Sequence, residues 1–239
     1  MKKILVVIFL LAISAKLSYS QENNQTPQEK KKSNFNYADL IIKDRIFVDV
    51  FSSRWINFNT NEIKQRAINQ GVNACFMFDF PIKKNSPFSF GVGIGVTHHN
   101  LFSNAYTYID TGYTTAMKVI DTNRIKYDKN ALSFTNLHIP LEFRYFHKSG
   151  FKIALGVRVG LMVDVHTKYY GRNIDGKDKS EKLIDKKIPN ATKVPVEITF
   201  RTGWKYFGFN ASYMVTKLFE AGKGPQMYPL NLGISISLY

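Results

Sequence analysis

The stretch from Leu137 to His166 constrains this chain more than any other. From position 153 to 165 every second residue is apolar: Ile153, Leu155, Val157, Val159, Leu161, Val163 and Val165. Between them sit Ala154, Gly156, Arg158, Gly160, Met162 and Asp164. A period of two sends one set to each face of a β-strand. Such a strand is about 13 residues long, against five or six in most soluble sheets. One face matches lipid tails, and the other mixes charged groups with glycines. The pattern alone also allows a soluble sandwich strand, so length and the rest of the chain decide, and together they read as a strand of a transmembrane β-barrel.

The remaining strand signals agree. They cover roughly 45–55, 71–80, 88–98, 132–146, 151–166, 192–201, 206–216 and 227–238. Over 71–80, Val72, Ala74, Phe76, Phe78 and Phe80 oppose Asn73, Cys75, Met77 and Asp79. Over 88–98, Phe88, Phe90, Val92, Ile94 and Val96 oppose Ser89, Gly91, Gly93, Gly95 and Thr97. Short connections near 81–87, 147–150 and 202–205 alternate with long ones near 56–69, 99–131, 167–191 and 217–226. Outer-membrane barrels sort their connections this way, with short periplasmic turns, long outer loops and an even strand number. The expected fold is all-β, an eight-stranded antiparallel up-and-down transmembrane barrel over 44–239. Ten strands result if 104–125 adds a hairpin. Both termini then lie in the periplasm. Trp55, Tyr145, Tyr169, Tyr170, Trp204, Tyr206, Tyr213 and Tyr228 fall near strand ends, where an aromatic girdle belongs.

Residues 1–20 read as a secretory signal peptide: Lys2 and Lys3, a short apolar run, then Ser18-Tyr19-Ser20. Residues 21–43 read as a disordered basic periplasmic arm. Beyond the N-terminus no apolar run reaches 18 residues, which excludes helical spans. Cys75 is the single cysteine, so no disulfide forms within the chain. The formal charge of +15 would suggest nucleic acid, but an exported chain meets none. Outer-membrane lipid is the expected surrounding, with basic rims against anionic headgroups.

The inward faces carry a candidate polar network, expected to be structural: Asp79, Glu142, Arg144, Arg158, Asp164, Glu197 and Arg201. Glu142 is placed opposite or diagonal to Arg158 by the 147–150 turn. Two similar segments, Ile139-Pro140-Leu141-Glu142-Phe143 and Val194-Pro195-Val196-Glu197-Ile198, each put Pro and Glu inward. Proline cannot donate to a ladder, so Pro140 and Pro195 are expected to mark bulges or breaks in pairing. His98 and His99 point to opposite faces, and His138, His147 and His166 are scattered, so no metal site is expected. Nor is a catalytic cluster, a cofactor or a small-molecule substrate.

The run Leu137-His138-Ile139-Pro140-Leu141-Glu142-Phe143-Arg144-Tyr145 resembles the Leu-x-Ile-Pro-Leu-x-x-x-Tyr strand of the PorT-like family of small outer-membrane barrels. The strand through Gly156 to Met162 and the ending LNLGISISLY also look like that family, and the resemblance spans roughly 45–239. It implies an eight-stranded barrel. It also implies service as an accessory component of type IX secretion, acting through contacts with other secretion-apparatus proteins. The alternative is a structural or surface-interaction barrel whose long outer loops bind an external partner.

Overall fold

The computed structural model describes residues 46–238 apart from 57–61, 85, 124, 173–179 and 187. The proposed signal peptide, the proposed arm and Tyr239 lie outside the described residues. Among the described residues eleven strands occur: β1 (Ile46–Ile56), β2 (Gln70–Pro81), β3 (Phe88–Phe102), β4 (Ala105–Ile109), β5 (Thr115–Val119), β6 (Tyr127–Phe146), β7 (Phe151–Arg172), β8 (Ser180–Asp185), β9 (Val196–Trp204), β10 (Phe207–Met214) and β11 (Tyr228–Leu238). Eight of them form a closed antiparallel ring, β1-β2-β3-β6-β7-β9-β10-β11, which returns to β1 through the β1–β11 pairing. Closure leaves no unpaired edge within the ring. β4 and β5 pair only with each other, so the hairpin within 104–125 exists but stays outside the barrel. No helix among the described residues is long and apolar enough to cross a membrane.

Alternation is the local cause of the fold. Val50, Ile94, Leu155, Leu161, Ile198, Phe209 and Ile234 all point outward and are exposed, as lipid-facing side chains are. Asp49, Glu142, Arg158 and Arg201, each next to an exposed apolar residue of its own strand (Val50, Leu141, Val157 and Phe200), are buried inside. Gly93 lies where a Cβ would collide with the Phe76 carbonyl and come within 2.9 Å of the Met77 Cα, so the β2–β3 ladder closes only over glycine. The β9–β10 turn is tight, with Lys205 at φ 50°, and its amide donates to the Gly150 carbonyl at 2.8 Å. That bond ties two short turns together at one end of the barrel.

Two expectations need correction. β6 and β7 run 20 and 22 residues, about twice what spans a bilayer, so they extend past the lipid band at the long-loop end. β8 pairs with that β7 extension. Next, β7 carries a bulge. Thr135 faces Asp164, but Asn136 faces Met162, leaving Val163 as the extra residue. Inside and outside exchange there, so Val165 and Tyr169 turn inward and Asp164 turns away from the lumen. At Pro140, where a bulge or a break in pairing is expected, the break occurs and the bulge does not. The β6–β7 register runs through it unbroken opposite Arg158, and only the pairing with β3 lapses, between Val92–Leu141 and Gly95–His138. Pro195 sits just before β9, with its carbonyl accepting from the Gly160 amide.

Trp204, Tyr206 and Tyr170 are about half exposed at the rims, as a girdle requires. Trp55 and Tyr169 are not part of it. Both are 4% exposed and face inward.

Candidate functional site

The lumen is filled in three layers. At the short-turn end lies a chain of alternating acids and bases. Arg144 Nη1 reaches Asp79 Oδ1 at 2.9 Å, and the Arg144 guanidinium contacts Glu142 Oε2 at 2.9 Å. Arg201 bridges Glu142 at 2.9 Å and Asp49 at 3.0 Å. Arg158 then contacts Asp49 at 3.3 Å and Glu197 at 3.8 Å. The seven side chains come from β1, β2, β6, β7 and β9, so one connected network spans the interior. Lys152 joins the layer, donating to Ser237 at 2.7 Å. Asp49, Asp79, Glu142 and Glu197 balance Arg144, Lys152, Arg158 and Arg201, four of each sign. Neutrality is what a low-dielectric interior demands, since an unpaired internal charge costs several kcal/mol. Phe47 is 1% exposed and lies beneath two guanidiniums, with Arg201 Cζ 3.9 Å and Arg144 Cζ 5.1 Å from its ring centre.

Six of the seven proposed network residues therefore meet: Asp79, Glu142, Arg144, Arg158, Glu197 and Arg201. Asp164 does not, because of the bulge at Val163. Its carboxylate pairs with His166 Nδ1 near the long-loop end, and its side chain is 42% exposed. Glu142 and Arg158 share the interior without pairing directly. Glu142 stands opposite Gly156 on β7, and its partners are Arg144 and Arg201. The pivot missing from the sequence reading is Asp49. β1 is apolar on both faces around it (Phe47, Val48, Val50, Phe51), so alternation could not say which way it points. A usable signal lay in its pairing opposite Asn73, an inward residue that donates to Asp49 at 2.7 Å.

Next comes a layer of neutral polar groups. Thr97 Oγ1 donates to Asn73 Oδ1 at 2.9 Å, and His138 Nε2 lies 2.9 Å from the same oxygen. Ser53 Oγ donates to Asn231 Oδ1, whose amide donates to Ser212 at 2.8 Å. His99 Nδ1 lies 3.1 Å from Ser53 Oγ, and its ring stacks on Phe134 with centroids 4.2 Å apart. A serine beside a histidine is a nucleophile arrangement, but both residues are 0% exposed. A substrate cannot approach, so the pair acts as packing. Among the described residues no group of three His, Cys, Asp or Glu is placed to hold a metal.

The long-loop end is closed by an apolar cap. Trp55, Leu101, Leu132, Phe134 and Met214 from the barrel pack with Ile188, Leu218, Phe219 and Met227 from the loops. Ile63 and Met117 pack against the same cluster. The loops are also stitched together. The Thr115 amide donates to the Lys223 carbonyl at 2.9 Å, Thr192 to Leu218 at 2.9 Å and Glu220 to Asn190 at 2.8 Å. Lower in the lumen, a cavity beside Phe47, Glu142, Arg144, Lys152 and Arg201 has a volume of about 20 Å³, room for a single water. A barrel of eight strands is just wide enough for side chains to fill, and here they do.

No curated protein matches the chain. Among solved structures it is similar to Ail, the attachment invasion locus protein of Yersinia pestis, in complex with the heparin analogue sucrose octasulfate. The identity is 14%, the TM-score 0.39, and the match covers 81% of this chain and 96% of that one. A second Ail structure matches over the same shares at 12% identity and a TM-score of 0.35. The family model described as outer membrane protein beta-barrel domain matches residues 10–216, and the chain belongs to that family of outer-membrane barrels.

Proposed function

We propose that this protein is a non-enzymatic, sealed outer-membrane barrel whose long-loop end binds an external partner. In this reading residues 1–20 direct export, residues 21–43 form an arm in the periplasm, and both termini lie on that side. The observation that carries it is the cap. Loops from four connections converge on one apolar cluster and are cross-tied by backbone hydrogen bonds. An ordered cap blocks a channel but offers a fixed surface. Fixed loops bind with less ordering cost than mobile ones.

A second reading, an accessory role in type IX secretion, is favoured by the opposite end. Lys83, Lys84, Lys148 and Lys205 are exposed on the three short turns, and these turns carry no acidic residue. Such a face suits an acidic periplasmic partner. The two readings separate by where loss of function falls. Trimming 105–119 should abolish binding of whole cells to the external partner and leave secreted proteins unchanged. Replacing the four turn lysines by glutamine should do the reverse. Mass spectrometry of surface and secreted proteins from the deletion strain is the readout, and cargo held in the periplasm would sink the surface reading.

A further inference from the structure

A cleft of about 650 Å³ opens at the long-loop end, between the β1–β2 loop, the β3 end and the start of β6. Its frame is rigid. The Arg66 amide donates to the Phe102 carbonyl at 3.0 Å, and the Asn104 amide donates to Lys64 at 3.2 Å. Asn130 donates its side-chain amide to Ser103 and Ala105 at 3.0 and 2.6 Å. Phe102 forms the floor and is 7% exposed. Arg66 and Lys129 are drawn over that ring, with Arg66 Cζ at 5.0 Å and Lys129 Nζ at 5.4 Å from its centre. Both cations belong to exposed residues, and among the described residues neither has a carboxylate within salt-bridge distance.

Both cations lie close to one ring centre, so an anion entering the cleft is attracted by both. The rest of the lining is not purely cationic. Lys64 adds a third base, while Glu62 and Asp128 add two acids, and Tyr127 contributes a ring and a hydroxyl. Carboxylates repel a bare polyanion but accept hydrogen bonds from hydroxyl groups. The volume falls in the range of small-ligand sites.

We propose that this cleft binds a sugar bearing an anionic group, the anion between Arg66 and Lys129 and the sugar hydroxyls towards Asp128 and Glu62. The proposal rests on the surface-binding reading above and names the chemistry of its ligand. The anionic sugar has two possible sources: the phosphorylated lipopolysaccharide of the surrounding leaflet, or a soluble glycan.

The test is calorimetric titration of the full-length protein in detergent with glucose 1-phosphate, glucose and inorganic phosphate. Glucose 1-phosphate is expected to bind more tightly than either of the others. Arg66→Gln and Lys129→Gln should each weaken it by about tenfold or more, the usual effect of losing a charge-assisted hydrogen bond. Lys182→Gln, an exposed lysine on β8, should leave binding unchanged, and the heat-modifiable gel migration of each variant checks that it is folded. Equal binding of glucose, equal binding of inorganic phosphate, or unchanged affinity in both cleft variants would overturn the proposal. Competition by intact but not dephosphorylated lipopolysaccharide assigns the ligand to the leaflet. Competition by soluble acidic glycans alone assigns it to the exterior, and competition by neither refutes the cleft. If trimming 105–119 abolishes partner binding while the cleft variants leave glucose 1-phosphate affinity untouched, the cleft fails and the surface reading stands.

Discussion

Replacing Arg201 by Met probes the charged lumen directly. The methionine keeps most of the stem's volume and removes contacts at 2.9 Å to Glu142 and 3.0 Å to Asp49. It also removes the cation stacked 3.9 Å above the Phe47 ring. At an effective dielectric of about 20, each ionic contact is worth roughly 5 kcal/mol before desolvation. Most of that is cancelled by the water stripped from the charges, and deleting one partner of a buried pair costs about 3–5 kcal/mol net. Glu142 retains Arg144 at 2.9 Å and Asp49 retains Arg158 at 3.3 Å, which argues for the lower end, about 3 kcal/mol. The balanced interior meanwhile becomes net negative by one charge. Urea unfolding in lipid vesicles, followed by the fluorescence of Trp55 and Trp204, gives the number. The double variant Arg201→Met with Glu142→Gln restores neutrality and should recover at least about 1 kcal/mol. A single-variant loss below about 1 kcal/mol, the scale of a surface pair, would refute the reasoning. So would a double variant no better than the sum of its parts.

Other perturbations test the wall and the cap. Val50→Lys places a charge in the middle of β1 on the lipid side, where Val50 is 60% exposed, and should cost about 2–4 kcal/mol in a bilayer; an unchanged unfolding midpoint would put that face in water. Gly93→Ala forces a Cβ against the β2 backbone and should cost at least about 2 kcal/mol, whereas Gly112→Ala, with nothing within 4 Å, should stay within about 0.5 kcal/mol. Equal effects in the two variants would show that the β2–β3 contact is looser than described. Phe219→Ala removes a side chain that is 1% exposed in the cap and should cost about 3 kcal/mol. Hydrogen exchange of the Thr192 amide, bonded to Leu218, should accelerate with it, and unaltered protection would mean the cap is held by something else.

What could be read from the sequence follows from what the environment enforces. Between Ile153 and Leu161 lipid demands apolar residues at every second place, so strand and facing were visible together. The sorted loop lengths carried the ring topology, because hairpins in a closed barrel must end on alternating sides. Legibility fades where that demand stops. Past Met162 the bulge and the exit from the bilayer reverse the faces, which moved Asp164 out of the lumen and Tyr169 into it. On β1 the interior itself is partly apolar, since Phe47 lies under guanidiniums and Trp55 enters the cap, so Asp49 had no contrasting face to mark it. Six of the seven network members were visible as charges on inward positions. Which acid met which base was not, because the pairing crosses the lumen between β1, β6, β7 and β9, and no local spacing encodes it. The cleft at Phe102 was invisible for the same reason: its cations come from the β1–β2 loop and from β6, 63 positions apart.

The central claim is that this barrel is filled and capped, so that its work is done on a surface and not through a pore. Single-channel recording of the full-length protein in planar bilayers tests it most directly. The account predicts a silent membrane at 1 M salt with the wild-type chain. Discrete, long-lived openings whose conductance scales with salt concentration would contradict it, because ions would then be passing an interior that the charged network and the apolar cap leave no room to cross.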